Sequence, residues 1–267
     1  MSDLIEPLDY PGGVYRTPEK PVSWFSRKYP SLAFYRQFGW DVWCSARTAQ
    51  RGLYDGTEWT RTSHGVIEAL ESVGVQFEIS GTEHIRALQS PCVFVGNHMS
   101  MLETMVLPAI IQPIRDVTFV VKQSLIDYPV FKHILRSRDP IGVTRESPRD
   151  DLKVVMQEGV GRLQRGVSVI VFPQTTRSST FDADQFNSIG VKLAMRAGVP
   201  VVPIALKTDA WRNGKRIKDI GPIDPSKTVR FAFGEPMAIT NRGAQQHQLV
   251  VDFIETKLSQ WGDPVTS

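Results

Sequence analysis

Residues 92–105 read CVFVGNHMSMLETM: a short apolar run, a polar break at Gly96, Asn97 and His98, and an apolar periodicity that resumes after Ser100. A buried strand that breaks into a loop and then a helix is the building unit of an α/β fold. The rest of the chain repeats it. Further strand candidates lie at 118–121, 167–172, 201–206 and 229–233, each mostly apolar, as suits strands covered on both faces. Helical patterns separate them. Ser147 followed by Pro148, Asp150 and Asp151 is a helix start, with proline where no N–H is needed and acids at the positive end of the dipole. That helix carries Leu152, Val155, Met156 and Leu163 and stops at Gly166. A second follows Asn187, with Leu193, Ala194 and Ala197 leading to Gly198, and a last one carries Leu249, Val250, Phe253, Ile254 and Leu258. The alternation predicts an α/β fold with a mostly parallel central sheet covered by helices. In such sheets, sites form in loops beyond the carboxyl ends of strands, where His98 stands.

The amino-terminal part has a different texture. Residues 1–30 are rich in proline, glycine and turn formers and are expected to form an irregular arm. Residues 31–74 are helical in pattern, with two or more helices. Leu32, Phe34, Tyr35 and Phe38 form one stripe, Val66, Ile67, Leu70 and Val73 another, and Gly74 closes the segment. The chain therefore divides into an arm with a helical segment, 1–74, and an α/β domain, 75–267.

With 267 residues and an ordinary apolar fraction, a sizeable core is expected. The net charge of +3 is too mild for a nucleic-acid partner but suits an anionic substrate or an acidic membrane surface. Two unpaired cysteines, Cys44 and Cys92, imply neither a disulfide framework nor a zinc site, and no metal is expected. The opening residues, MSDLIEPLDYPGG, lack the basic flank and apolar run of a signal peptide, which points to the cytosol. No apolar run approaches the roughly 18–20 residues of a spanning helix, so any membrane contact is peripheral. Walker A and dinucleotide glycine fingerprints are absent.

The chemistry concentrates around His98. Ser100-Met-Leu-Glu103 matches a capping box, in which the serine accepts from the N–H three residues on and the glutamate reaches back to the serine N–H. Inside one helix, five positions would turn His98 and Glu103 about 140° apart. With His98 in the loop before a helix starting at Ser100, the Glu103 side chain can instead fold back toward the imidazole. Cap and catalytic dyad are compatible. Lys122 after the strand at 118–121, Arg145 in DPIGVTRES, and Gln174, Thr175, Thr176 and Arg177 in the loop of VSVIVFPQTTRSS supply polar and basic groups from neighbouring loops.

These segments resemble the glycerolipid acyltransferases, the lysophosphatidic acid acyltransferase family. NHMSMLE, KQSLIDYPVFKHILRSRDPIGVTR, FPQTTRS, FNSIGVKLAMRAGVPVVPIAL and FGEP stand in the order and spacing of that family's motif blocks, from about Phe77 to Pro236. The resemblance implies that His98 is a general base and that Glu103 orients it. It also implies that Arg145 and Arg177 hold the acceptor's phosphate. The reaction implied is transfer of a fatty acyl group from a thioester, acyl-CoA or acyl carrier protein, to the hydroxyl of a lysophospholipid, 1-acyl-glycerol-3-phosphate. It belongs to phospholipid biosynthesis at the inner face of the membrane, with no cofactor beyond the thioester co-substrate. Three positions depart from the family pattern: Glu103 replaces aspartate, Gln174 glutamate and Thr175 glycine. They leave a different acceptor, or a non-catalytic lipid-binding homologue, as alternatives.

Between residues 24 and 43 eight aromatic rings alternate with Arg27, Lys28 and Arg36, which suits a bilayer interface; the competing reading is that the rings pack the helices onto the domain. WRNGKRIKD contains Asn213-Gly214, a strong hairpin signal, flanked by Arg212, Lys215, Arg216 and Lys218. It reads as a solvated turn, or as a contact for headgroups or donor phosphates.

Overall fold

The computed structural model describes residues 8–128, 131–174, 176–215, 217–262 and 265–266. In chain order the strands are β1 (Val14–Arg16), β2 (Gln76–Ser80), β3 (Val93–Gly96), β4 (Val117–Lys122), β5 (Ile141–Val143), β6 (Ser168–Val171), β7 (Phe181–Asp182), β8 (Val201–Lys207), β9 (Thr228–Phe233) and β10 (Val265–Thr266). The helices are α1 (Trp24–Lys28), α2 (Pro30–Gln50), α3 (Gly56–Ser72), α4 (Thr82–Ala87), α5 (Leu102–Ile111), α6 (Gln123–Ile126), α7 (Lys132–Ser137), α8 (Pro148–Gln164), α9 (Ile189–Ala197) and α10 (Ala244–Gln260). β7 and β10 pair with each other, and the other strands form one sheet in the order β1-β2-β9-β8-β3-β6-β4-β5. From β8 to β5 every pairing is parallel; β9 is antiparallel to β8, and β1 to β2.

The sheet is covered on both faces, which is why its central strands read as unbroken apolar runs. Alternate side chains of β3 go to opposite cores. Phe94 packs with Ile67, Leu70 and Leu107 of α3 and α5, whereas Val93 and Val95 pack with Val155, Leu193 and Val250 of α8, α9 and α10. Each such side chain contributes roughly 1.5–3 kcal/mol by leaving water. The fold is thus the α/β layering that the alternation implied. Local signals set its helix ends: the Ser147 hydroxyl accepts from Asp150 N–H at 3.4 Å at the start of α8, and Gly198 ends α9 in the left-handed region at φ 68°.

The structure differs from expectation in three respects, in the arm, in two strands and in the stripe of α2. Part of the arm expected to be irregular is β1, whose Val14 pairs with Ser80 of β2, and another part is α1. β2 alternates exposed and buried residues instead of running apolar, so its signal is the period of two; without β1 its outer backbone groups would face solvent. β5, three residues long, lies below the length at which any pattern is legible. Third, Leu32 leaves the expected stripe and is 61% exposed, while Phe34 is fully buried against Trp211 at a ring separation of 4.8 Å. Tyr35 and Phe38 pack on the same indole. Side chains of α2 and α3 share one core with the sheet.

β3 is where the chain changes direction. After β3 it moves outward to β4 and β5, returns to β6 beside β3, and then crosses to β8 on the other flank. The chain therefore leaves β3 and β6 toward opposite flanks of the sheet, and at such a switch point sites form beyond the carboxyl ends of the strands. Because β3, β4, β5, β6 and β8 are parallel, their carboxyl ends gather the loops that carry His98, Lys122, Arg145, Gln174 and Arg177, and the position of Thr208.

Candidate active site

β3 ends at Gly96, where any Cβ would sit 2.9 Å from the Ile204 carbonyl oxygen of β8. Asn97 then extends the ladder with its side chain. Its Nδ2 donates to the Leu206 carbonyl and its Oδ1 accepts from the Leu206 N–H, each at 2.8 Å. The next residue, His98, is thereby delivered past the edge of the sheet. Its ring stacks on Phe172 at 4.5 Å with planes 2° apart. Its backbone N–H donates to Gln174 Oε1 at 2.6 Å, and its carbonyl accepts from Ser178 N–H at 3.0 Å. The loop after β6 thus clamps the loop after β3.

Behind the imidazole lies Glu103, fully buried. His98 Nδ1 is 2.9 Å from Glu103 Oε1, which also accepts from the N–H groups of Met99 at 2.6 Å and Ser100 at 2.9 Å. Oε2 accepts from Thr208 Oγ1 at 2.7 Å and faces Ser100 Oγ at 3.0 Å. Half of the expected capping box forms. Glu103 reaches back to Ser100 N–H, but the serine hydroxyl accepts from Leu102 N–H at 3.1 Å, and α5 begins at Leu102. The hydroxyl is drawn instead into the contact with Thr208.

Burial works to raise the Glu103 pKa, but the hydrogen bond and charge of His98, with the bonds from Thr208 and Ser100, outweigh it and hold the carboxyl below its ordinary value. A carboxylate facing Nδ1 favours the tautomer with its proton there, which leaves the Nε2 lone pair for a substrate. His98 lines a cavity of about 530 Å³.

The cavity collects most of the residues singled out from the sequence. Lys122, Arg145, Gln174 and Arg177 line it with His98; Glu103 stands behind the imidazole. Thr176 does not line it and accepts from Lys218 Nζ at 3.3 Å, and Thr175 lies outside the described residues. Arg145 adopts φ 63°, held there by Asp151, whose carboxylate accepts from the N–H groups of Thr144 and Arg145 at 2.8 Å each. An acid that suits the start of α8 for dipole reasons therefore also shapes the arginine's turn. Burial and the neighbouring positive charge of Arg177 lower the Arg145 pKa, though it remains a cation. Arg177 is paired with Asp219 at 2.5 Å. Lys192, from the first turn of α9, also lines the cavity.

The loop after β8 departs from its hairpin reading. It is closed by a bridge between Trp211 and Ile223 and by Arg212 N–H donating to the Pro222 carbonyl at 3.1 Å, with no two-residue turn at Asn213-Gly214. Asn213 Nδ2 donates to the Met99 carbonyl at 3.0 Å, and Gly214 packs where a Cβ would meet the Ile217 and Ile220 carbonyl oxygens at 2.2 Å. The segment is a brace on the His98 loop; Arg216 lies outside the described residues. Sequence reasoning also missed Thr208, Lys192 and Asp219, which no local spacing ties to His98 and which only the packing of the loops and α9 brings to the site. Among the described residues, no group of three or more histidine, cysteine or acidic side chains could hold a metal ion.

The family model described as Acyltransferase matches residues 76–207. The chain is 34% identical over 132 residues to a 1-acyl-sn-glycerol-3-phosphate acyltransferase of Pseudomonas aeruginosa, a match covering 49% of each protein. It is 32% identical over 132 residues to the chloroplastic 1-acyl-sn-glycerol-3-phosphate acyltransferase BAT2 of Brassica napus, covering 48% of this chain and 36% of that protein. The chain thus spans half or less of the length of these relatives. It also resembles the crystal structure of the 1-acyl-sn-glycerophosphate (LPA) acyltransferase PlsC from Thermotoga maritima, with a TM-score of 0.60 over 89% of this chain and 96% of that one. At 19% identity that likeness speaks for the fold alone.

Proposed function

From the match of residues 76–207 to the Acyltransferase family model we propose that the chain is a glycerolipid acyltransferase and moves a fatty acyl group from a thioester to the hydroxyl of 1-acyl-glycerol-3-phosphate. The observation that carries the reading is the buried His98–Glu103 pair, 2.9 Å apart, at a cavity that holds both Arg145 and Arg177 and an extensive apolar wall. Cations suit the phosphate of the acceptor, and the wall suits a fatty chain.

In this mechanism the neutral His98 takes the acceptor's hydroxyl proton at Nε2 as the oxygen attacks the thioester carbonyl, a general-base contribution of about 10²–10⁴-fold. Glu103 fixes the tautomer and stabilises the imidazolium, as the aspartate of a serine triad does, but with the substrate hydroxyl as nucleophile. The new C–O bond forms, the C–S bond breaks, and the proton on His98 passes to the departing thiolate. Arg145, Arg177 and Lys122 hold the phosphate so that its hydroxyl meets the base, and orientation of this kind lowers the barrier by several kcal/mol. The thiol that leaves is coenzyme A or acyl carrier protein.

The work takes place at a membrane surface. Among the described residues no helix is long and apolar enough to cross a membrane. The outer face of α1 and α2 presents Trp24 at 71% exposure and Trp40 at 63%, with Lys28 over the Trp24 ring and Arg47 over Trp43. Rings with adjacent cations suit the headgroup layer of an anionic bilayer.

The test is thiol release and product formation from acyl-CoA and acyl carrier protein with lysophosphatidate. His98→Ala is expected to abolish both while the fold persists. A wild-type rate in that variant would sink the proposal.

A further inference from the structure

The cavity wall leads away from His98 along a row of rings: 4.5 Å to Phe172, 6.3 Å on to Phe119 and 5.9 Å on to Trp59. A chain whose thioester carbonyl lies at His98 and whose methylenes follow these rings arrives between α2 and α3. There the lining has helical spacing, with Phe38, Asp41, Val42 and Ser45 on one helix and Trp59, Thr62, Ser63 and Val66 on the other. A pocket end built for a methyl terminus would be apolar throughout. This one is not.

Ser45 and Ser63 are each only 4% exposed, and neither hydroxyl has a hydrogen-bond partner among the described residues. Tyr54, which also lines the cavity, has its hydroxyl 2.5 Å from Thr62 Oγ1. The Asp41 carboxyl lines the same end, and its partial burial holds its pKa above the ordinary value. Both serines line the cavity and neither oxygen is among the fully buried unpaired atoms, so the hydroxyls open onto the cavity, and a chain that fills it must pair them or strand them. An anion is a poor partner here, since the Asp41 carboxyl in the lining would oppose it, whereas a hydroxyl can both donate to and accept from serines.

We infer that this end of the cavity recognises a hydrogen-bonding group on the acyl chain, and that the chain it is shaped for carries a hydroxyl toward its distal end. That this chain belongs to the acyl donor rests on the acyltransferase reading; the binding site does not depend on turnover. An unsubstituted chain would desolvate the serines without pairing them, and each hydroxyl so stranded weakens binding about tenfold.

The experiment is equilibrium binding of hexadecanoic acid and of its mid-chain and ω-hydroxy derivatives, read by displacement of a fluorescent fatty acid. At least one hydroxylated isomer should bind the wild-type protein about tenfold more tightly than the parent acid. In Ser45→Ala/Ser63→Ala, which keeps both helices and nearly the same volume, that preference should vanish. A protein that shows this binding but transfers acyl groups to no acceptor would count against the acyltransferase reading and leave the present inference standing. Equal affinity for all the acids in the wild type, or a preference unchanged in the double variant, overturns it.

Discussion

The side-chain oxygen of Gln174 accepts the backbone N–H of His98 at 2.6 Å, so the amide that replaces the family's usual glutamate holds the loop of the proposed base. A neutral oxygen serves this bond as a carboxylate would, which is how the departure can leave the geometry intact. Gln174→Ala would strand a buried N–H and should cost about 1–3 kcal/mol. The melting temperature should then fall by roughly 2–4 °C per kcal/mol. Gln174→Glu should recover most of the loss. An alanine variant that melts like the wild type would show that the bond anchors nothing.

Thr208 Oγ1 donates to Glu103 Oε2 at 2.7 Å from the end of β8, a contact that depends on the reach of a glutamate. Glu103→Asp withdraws the carboxylate by one methylene and should lose this bond while keeping partial activity. Thr208→Val should lower kcat and stability, and Thr208→Ser should restore both. Because both changes delete one interaction, the double variant should be less impaired than the sum of the singles by about 1 kcal/mol in a double-mutant cycle. Strict additivity would show that threonine and glutamate act independently.

The lowered pKa of Glu103 makes a prediction about acid stability. In the unfolded chain the group returns to its ordinary value near 4.5. A carboxyl that holds its proton less tightly when folded contributes stability that is complete above that value and is lost as pH falls through the folded one. The stability gap between wild type and Glu103→Gln, from urea unfolding, should be constant above about pH 5 and narrow below about pH 4. A gap unchanged down to pH 3 would mean that the carboxylate's charge contributes nothing to the fold.

The contrast between Glu103 and Thr208 shows what the sequence could disclose. His98 and Glu103 lie five residues apart, so a loop followed by a helix start sufficed to foresee their meeting. Thr208 reaches Glu103 only because β8 lies beside β3, and strand order is not written in any local pattern. The same holds for Asp219, whose partner Arg177 lies 42 residues away. The central strands were legible because burial on both faces leaves an unbroken apolar run. β1 at the sheet edge and β2 beside it were not, since one is short and the other alternates. Asn213-Gly214 misled for a related reason: its turn chemistry is local, but the asparagine's hydrogen bond is spent on Met99.

Arg177 must exchange Asp219 for phosphate before it can hold an acceptor, since the two are now paired at 2.5 Å. Asp219→Asn removes the competing charge and should lower KM for lysophosphatidate about fivefold, the equivalent of the ~1 kcal/mol of a solvent-accessible ion pair. kcat should hold, because Asp219 touches neither His98 nor Glu103 among its described contacts. The effect should shrink in high salt. A raised KM in this variant would instead assign Asp219 the task of positioning Arg177.

The aromatic residues of α1 and α2 separate into two populations with opposite expected behaviour. Phe34 is fully buried against Trp211 and should behave as core: Phe34→Ala should destabilise the protein by about 3–5 kcal/mol. Trp24 and Trp40 are largely exposed, and the ring Trp40 leans on, Trp43, is itself exposed, so replacing both with alanine should leave the melting temperature nearly unchanged. If these rings seat the protein on a bilayer, the same double variant should sediment poorly with anionic vesicles and lose activity on vesicle-borne acceptor while keeping it on a short-chain, monomeric one. The cations Lys28 and Arg47 stacked on neighbouring rings make the binding salt-dependent as well. Undiminished sedimentation of the double variant at low salt would place the membrane contact elsewhere on the surface.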